Sequence, residues 1–571
     1  MKQLTGLDAT FLYMETPSTY GHVSGLSIYD RPSPDFDPLQ EWRAQIERRL
    51  HLLEPLTRRL RNVPFNLDHP FWIEDPDFDL DFHVRHTAVP RPGRDDQVAD
   101  LVARIIARPL DRSRPLWESY VIDGLAGDRF GILTKIHHAT VDGASGVELL
   151  TIMLDTTPEG DEVPSPALTP RQPEPVPSDA EVLGAAVRTL ARKPGRFLVL
   201  GARTMRQLGE ASGNPILRAS GNQLREGLRG PLGTVLNLGR SIPEERDEAP
   251  QPLPGGAPST VFNASISPHR SFAYRSVSMD AIKAIKTAIG CTVNDVVMAV
   301  CAGGLRTYLE RRGALPDRPM VSMVPVSIRT GEEAERWSNR VSAIFADLPT
   351  DEPEPLQRIR KVNNAMALAK GLHDALPADR LTEFADFPPP AVFARASRMA
   401  TRFQLGNRAT MPVNITISNV PGPREPLYMA GAKLAHYVPV STVVEGQGLN
   451  ITVQSYCDTL DFGLVGCARL VPDIGVLLDD IIDDIEGLAA LMDVDVPVHL
   501  AEERTPGRAP AKKEAATKKA PAKKKATTKK KATTKRAPAR KKAAKKKAVA
   551  KARGRTKKAA AKKRSAPKTS S

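Results

Sequence analysis

An apolar run, Phe130–Ile136 (FGILTKI), ends in HHATVDG (His137–Gly143), and a helical pattern follows over Val147–Leu154. Seven mostly apolar residues bounded by turn signals read as a buried strand, so the histidine pair stands where a strand ends. Two histidines there, with Asp142 four residues after the second and Gly143 beside it, suggest a positioned base. A neutral imidazole accepts a proton near pH 7, and a nearby carboxylate fixes its ring or the loop that holds it. Gly143 fits a backbone shape that a Cβ would block, letting the helix start tightly.

The chain has 571 residues, too many for one ordinary core, and two or more domains are expected. Its formal charge of +15 averages two unlike pieces. Residues 504–571 hold 29 Lys and Arg against the single acid Glu514, a net of +28. Taking these from the 81 basic and 66 acidic residues of the whole leaves 52 and 65, so residues 1–503 carry −13. Nothing in that acidic body points to a nucleic-acid enzyme. The four cysteines, Cys291, Cys301, Cys457 and Cys467, form no CxxC pair and lie among apolar residues, which reads as buried reduced thiols in a cytoplasmic protein. The opening MKQLTGLDATFLYMET has acids and no apolar core, so it is not read as a secretory signal. No stretch approaches the roughly 18–20 consecutive apolar residues of a membrane helix, so lipid substrates would be met from the water side.

Helical spacing appears at Leu39, Trp42, Ile46 and Leu50, and again from Val98 through Ile106, ending at Pro109 or just after. Strand patterns cover Phe82–Val89, Glu118–Ile122 and Phe130–Ile136, the last two joined by a turn carrying Gly124 and Gly127. Residues 155–178 are rich in Pro and Glu and read as an exposed linker, followed by a helix at Ala180–Leu200. From Val261 onward helices are expected at Met279–Ile289, Asn294–Arg311 and Ile474–Met492. Strands are expected at Met320–Ile328, Val341–Ala346 and Val413–Ser418, with a hairpin over Leu449–Ser455 and Leu460–Val465 turning at Cys457-Asp458. The division drawn is an N-terminal subdomain at residues 1–200, a crossover at 201–257, a C-terminal subdomain at 258–500 and a tail at 501–571.

HHATVDG resembles the HHxxxDG motif of CoA-dependent acyltransferases built on the chloramphenicol-acetyltransferase fold, which peptide-synthetase condensation domains share. Pro115-Leu116-Trp117 resembles the PLW motif, and Asn294-Asp295 the ND motif, of the bacterial wax ester synthase/acyl-CoA:diacylglycerol acyltransferases. The segments LTGLDATFLYMET (Leu4–Thr16), FNASISPHR (Phe262–Arg270), MVPVSIR (Met323–Arg329) and SNVPGP (Ser418–Pro423) are similar to family segments as well, in the expected order from residue 4 to about 490. The resemblance implies an α/β fold of two similar subdomains with the active site in a tunnel between them. It implies transfer of a long acyl group from acyl-CoA, a substrate and not a cofactor, to diacylglycerol, with a long-chain alcohol as the second choice of acceptor. It assigns the base to His138, support to His137 and Asp142, and a thioester or oxyanion contact to Asn294.

Each motif has another reading. His137 and His138 could ligate zinc, but adjacent residues on an extended backbone point to opposite faces and no third histidine stands at helical spacing. A purely structural histidine is the other alternative. Ser145, in the frame G-A-S-G-V, lacks the second glycine of a nucleophile elbow and reads as a helix-start residue. On local grounds Asn294 and Asp295 cap a helix, since Thr292 and Asn294 both precede the apolar run Val296–Val300. Pro115, Leu116 and Trp117 are core packing or a substrate wall, and SNVPGP a loop closing the domain interface. A catalytically silent tether and a condensation domain are the competing function classes. The tail, almost wholly Lys, Arg, Ala, Thr and Pro with KKKATT repeated at Lys523–Thr528 and Lys529–Thr534, cannot bury enough apolar surface to order itself. It is expected to be disordered and to meet an anionic membrane or lipid-body surface, with nucleic acid as the alternative partner. The enzyme is then expected in the cytoplasm, peripheral to the inner face of the membrane or to lipid bodies.

Overall fold

A computed structural model describes residues 2–66, 68–141, 143–164, 176–192, 256–327, 341–375 and 412–499. The middle of the Pro-rich linker, the end of the helix expected at Ala180–Leu200, all but the last two residues of the 201–257 crossover and the whole basic tail lie outside them, and with them the expectations for those segments. The first half runs β1 (Lys2–Gln3), α1 (Gly6–Tyr13), β2 (His22–Asp30), α2 (Pro38–Arg49), β3 (Arg58–Arg61), β4 (Phe71–Glu74), α3 (Leu80–His83), β5 (Val84–Ala88), α4 (Asp95–Ile106), β6 (Trp117–Leu125), β7 (Arg129–His137), α5 (Gly143–Met153) and α6 (Asp179–Arg192). The second runs β8 (Arg270–Ser278), α7 (Met279–Ile289), α8 (Val293–Glu310), β9 (Met320–Ser327), β10 (Val341–Leu348), α9 (Pro355–Ala375), β11 (Ile415–Val420), β12 (Tyr428–Met429), β13 (Ala432–Val440), β14 (Leu449–Tyr456), β15 (Thr459–Cys467) and α10 (Ile474–Leu491).

Local chemistry accounts for the helices. In α2 the Asp37 carboxylate accepts the N–H groups of Leu39 and Gln40 at 3.0 and 3.2 Å, and Pro38 starts the helix where its missing N–H costs nothing. Trp42 and Ile46, four residues apart, are its buried stripe. Helix α4 stops at Ile106, short of the expected Pro109, because the residue before a proline disfavours the helical backbone. Two buried side chains hold this end: His22 Nε2 meets the Ile106 carbonyl at 3.0 Å and Lys135 Nζ donates to the Arg108 carbonyl at 2.7 Å. The expected strand from Phe82 begins instead as the short turn α3, which Asp79 caps, and becomes extended at Val84.

Two six-stranded sheets form the body. The first has the order β12-β13-β2-β7-β6-β5, the second β10-β9-β11-β14-β15-β8. Strands β12 and β13 come from the second half of the chain yet complete the first half's sheet, with Tyr437 opposite Ser27 and Val440 opposite Ser24. A cut near residue 257 therefore separates stretches of sequence and not independent layers. In the second sheet, side chains alternate with the pleat. Ile415, Ile417, Leu449, Ile451 and Val453 face a core shared with α8, α9 and α10, and the residues between them face the first sheet. A three-stranded sheet, β1-β4-β3, covers one side of the first half.

The expected linker is exposed over residues 156–159 as read, but its first residue is not. Asp155 is fully buried, paired with Arg49 and accepting from Gln45 Nε2 at 2.9 Å and from the Asp161 N–H at 2.9 Å. Of the four cysteines, Cys301 and Cys467 are buried, whereas Cys291 and Cys457 are half-exposed. Removing one partner of a buried ion pair leaves the other charge stranded. Asp155→Ala should therefore cost about 3 kcal/mol or more of folding free energy in a urea titration. A loss within about 0.5 kcal/mol, typical of a surface position, would show that Arg49 needs no partner there.

Candidate active site

Strand β7 delivers the histidine pair, and its neighbour β2 begins at His22, directly opposite His137. His137 is fully buried and its backbone is pinned at both ends: its N–H donates to the Leu116 carbonyl at 2.9 Å, and its own carbonyl accepts the Thr140 N–H at 2.9 Å. The ring closes the same turn, Nδ1 accepting the Ala139 N–H at 3.0 Å. An Nδ1 that accepts carries a lone pair, so the neutral ring holds its proton on Nε2. That atom lies 3.3 Å from Glu15 Oε1, off the line of a full hydrogen bond, and has no other partner among the described residues. Burial lowers the His137 pKa against the opposing pull of Glu15.

Glu15 is the hub beneath the turn. Its Oε1 accepts the Gly21 N–H at 2.7 Å, and its Oε2 accepts from Arg112 Nε at 3.0 Å and Nη2 at 2.6 Å. Burial pushes its pKa up, but His137, Arg112 and the Gly21 amide together bring it down to about 2. Gly21 permits the close approach, since a Cβ there would lie 2.5 Å from His137 Nε2. Neither Glu15 nor Arg112 follows from motif spacing. Glu15 sits in the opening segment quoted for the resemblance, and Arg112 three residues before Pro115.

His138 differs from its neighbour. Its N–H donates to the Gly21 carbonyl at 2.7 Å, and its ring stacks on Phe11 with centroids 4.0 Å apart and planes 8° off parallel. It is half-buried and lies on the wall of a cavity of about 440 Å³ between the two sheets. Of the pair, His138 alone lines that cavity. Gly143 opens α5 as expected, Ser145 lies in that helix's first turn, and Asp142 lies outside the described residues.

The cavity has two unlike walls. Trp42, Ile46, Trp117, Leu149 and Met153 make one side apolar. Opposite them stand Thr416, Ser418, Asn419, Asn450, Thr452 and Gln454 of the second sheet. The Pro115-Leu116-Trp117 motif splits between its two readings. Trp117 lines the cavity, fixed by an Nε1–H bond to the Leu56 carbonyl at 2.8 Å and by stacking on His83, while Leu116 packs with Leu4, Leu12 and Ala139 and Pro115 is buried. The SNVPGP segment is more than an interface loop, because Ser418 through Pro421 line the cavity.

Asn294 is not brought to that cavity. The helix α8 is capped by Thr292, whose hydroxyl oxygen accepts the Asp295 N–H at 3.2 Å, while Asp295 Oδ2 accepts the Thr292 N–H at 3.0 Å and Asn363 Nδ2 at 3.0 Å. This helix packs on the other face of the second sheet. The motif marks a helix start, and only tertiary packing decides which face of a sheet that helix covers.

Burial keeps both His22 and His137 from charging, so their pKa values lie below the unfolded 6.5. Lowered values of this sign contribute stability that is present above about pH 6.5 and lost as pH falls toward the folded pKa. Glu15 adds a second loss lower down, between about 4.5 and about 2. The urea midpoint should therefore decline from about pH 7 to about pH 5.5, and a flat profile there would mean that these imidazoles charge freely in the folded protein.

The wax ester synthase/diacylglycerol acyltransferase catalytic domain matches residues 4–297, and the C-terminal domain of the same family matches residues 337–489. Two Mycobacterium tuberculosis proteins named as diacylglycerol O-acyltransferases are 34% identical over 479 residues and 35% identical over 476, each covering 82% of this chain and 95% and 96% of the relative. Among solved structures, the wax ester synthase/diacylglycerol acyltransferase of Marinobacter aquaeolei VT8 is 30% identical and superposes with a TM-score of 0.59, covering 86% of this chain and 100% of that one. That superposition shows a shared fold, and the chain belongs to the wax ester synthase/diacylglycerol acyltransferase family.

Proposed function

We propose that the protein transfers a long-chain acyl group from acyl-CoA to diacylglycerol, forming triacylglycerol, with His138 as general base. The observation that carries this reading is that His138, alone of the pair, opens onto a cavity with one apolar and one polar wall. An acyl chain suits the first wall, and groups bearing hydroxyls and esters suit the second. His138 accepts the acceptor's hydroxyl proton as that oxygen attacks the thioester carbon; the C–O bond forms, the C–S bond breaks, and the proton passes to the departing thiolate. No acyl-enzyme is required. His137 stays out of the proton transfer because its Nδ1 is occupied by the Ala139 amide and its Nε2 faces Glu15. It holds the turn, and Glu15 with Arg112 holds it. A wax ester product from a long-chain alcohol uses the same chemistry, and the family's name supports it as the second acceptor.

Among the described residues no single helix is long and apolar enough to cross a membrane. The +28 on residues 504–571 supports contact with an anionic membrane or lipid-body surface, where each basic residue contributes about 1 kcal/mol.

Palmitoyl-CoA offered with diacylglycerol and hexadecanol in one tube should give triacylglycerol as the main product, and thin-layer separation of the labelled lipids reads it. His138→Ala should lower turnover by at least about 10²-fold at an unchanged melting temperature; retention of more than about a tenth would remove it as the base. Glu15→Gln should lower kcat by about tenfold or more and shift the acid limb of the pH–rate profile to lower pH, because loss of a nearby anion makes the imidazoles less basic. A lower melting temperature with an unmoved pH profile would show that Glu15 serves the fold alone.

A further inference from the structure

A phenolic hydroxyl that the fold does not use opens onto the cavity. Tyr437 is one of the lining residues. Outside the strand ladder, its only hydrogen bond among the described residues is made by its backbone, whose N–H donates to Asp461 Oδ2 at 3.1 Å. The residue is half-buried, and its hydroxyl is not among the polar atoms sealed from solvent without a partner, so the oxygen stays open to the cavity. The deep position of the ring pushes the phenol up to about 12, which leaves a neutral O–H donor at any ordinary pH. A tyrosine hydroxyl in an interior usually finds a partner, and here the space in front of it is where a substrate would lie.

The ring is positioned without help from its hydroxyl. Tyr437 is opposite Ser27, and its ring reaches along β2 onto Gly25, where an added Cβ would meet Cε2 and the hydroxyl oxygen at 2.7 Å each. Gly25 is opposite Thr134 on β7. Thr134 and His138 both line the cavity, four residues apart, or about 13 Å of extended chain. The phenol and the base thus serve different stretches of one cavity. The strand β13 also packs on β14, which carries Asn450 and Thr452 of the polar wall. Trp117 of the apolar wall stands on β6, with β2 and β7 between. The hydroxyl is therefore on the strand next to the polar wall, where an acyl chain is the poorer fit.

Resting on the acyl-transfer reading above, we infer that the Tyr437 hydroxyl donates a hydrogen bond to a carbonyl of a bound substrate and helps to select it. The substrates offer two sources of that chemistry, an ester carbonyl of the diacylglycerol acceptor and an amide of the pantetheine arm of acyl-CoA. Either gives the O–H an acceptor, whereas a simple long-chain alcohol brings none besides its reacting hydroxyl. Because packing on Gly25 already holds the ring, no side-chain freedom is lost when the carbonyl arrives.

The test compares the full-length wild type with Tyr437→Phe, which keeps the ring on Gly25 and removes an oxygen with no hydrogen bond to the described protein. Palmitoyl-CoA is the donor, and detergent-dispersed dioleoylglycerol and hexadecanol compete as acceptors in one tube. The ratio of triacylglycerol to wax ester is then independent of how much of the enzyme is folded. The melting temperature should hold or rise, since no hydrogen bond within the protein is lost. A ratio lowered about fivefold or more, the worth of one neutral hydrogen bond, assigns the contact to the acceptor's ester. An unmoved ratio with the KM for palmitoyl-CoA raised by about the same factor assigns it to the pantetheine amide. An unmoved ratio with an unmoved KM for palmitoyl-CoA overturns the inference, whatever the melting temperature does. A wild type that acylates neither acceptor removes the acyl-transfer reading and this one together, and shows itself before the substitution is compared.

Discussion

The pairing of β13 with β2 is the contact on which the rest of the molecule depends. It carries a strand of the second half into the sheet of the first, in register from Leu434 opposite Tyr29 to Val440 opposite Ser24. The same strand packs against β14 and β15 of the second sheet, where Asp461 Oδ2 accepts the Tyr437 N–H at 3.1 Å, so β13 ties the two sheets together. The space held open between them is the cavity. A site built from both sheets thus gains the rigidity of a single layered body, which acyl transfer needs if two long substrates are to meet in line.

Within that frame the histidine pair divides its labour by direction. Consecutive residues at a strand end face opposite ways, so one ring is buried and the other opens to the cavity. The buried ring is immobilised by a short chain of charge: Arg112 neutralises Glu15, Glu15 faces His137, and His137 accepts the amide that starts the next turn. Glu15 and His137 are tolerable away from solvent because each faces a partner, Arg112 reaching Glu15 from the exposed side. The outward ring inherits its position from that chain and from stacking on Phe11.

The cavity walls express the same economy of pattern. On β14, and on β11 as far as Ser418, alternation sends Ile417, Ile451 and Val453 to the helical core and Ser418, Thr452 and Gln454 to the cavity. One pair of strands therefore supplies both the packing that holds the second half together and the polar wall of the cavity.

The sequence by itself determined the local elements and the chemistry of one motif. The strand into His137, the apolar stripe of α2, the range of α7 and the hairpin turning at Cys457-Asp458 follow from short-range sterics and periodicity, which act within a few residues. The strands β2 and β8 escaped that reading because HVSGLSIYD and RSFAYRSVS are buried on mixed faces and show no clean alternation, while β13 alternates in burial from Ala432 to Val438 but places the polar His436 at a buried position. Only the tertiary structure decided which half owns β13, that Glu15 and Arg112 lie beneath His137, and that Asn294 starts a helix behind the second sheet, away from the cavity. Those are long-range contacts, set by which apolar faces must be covered once the chain is compact, and no local pattern carries that information.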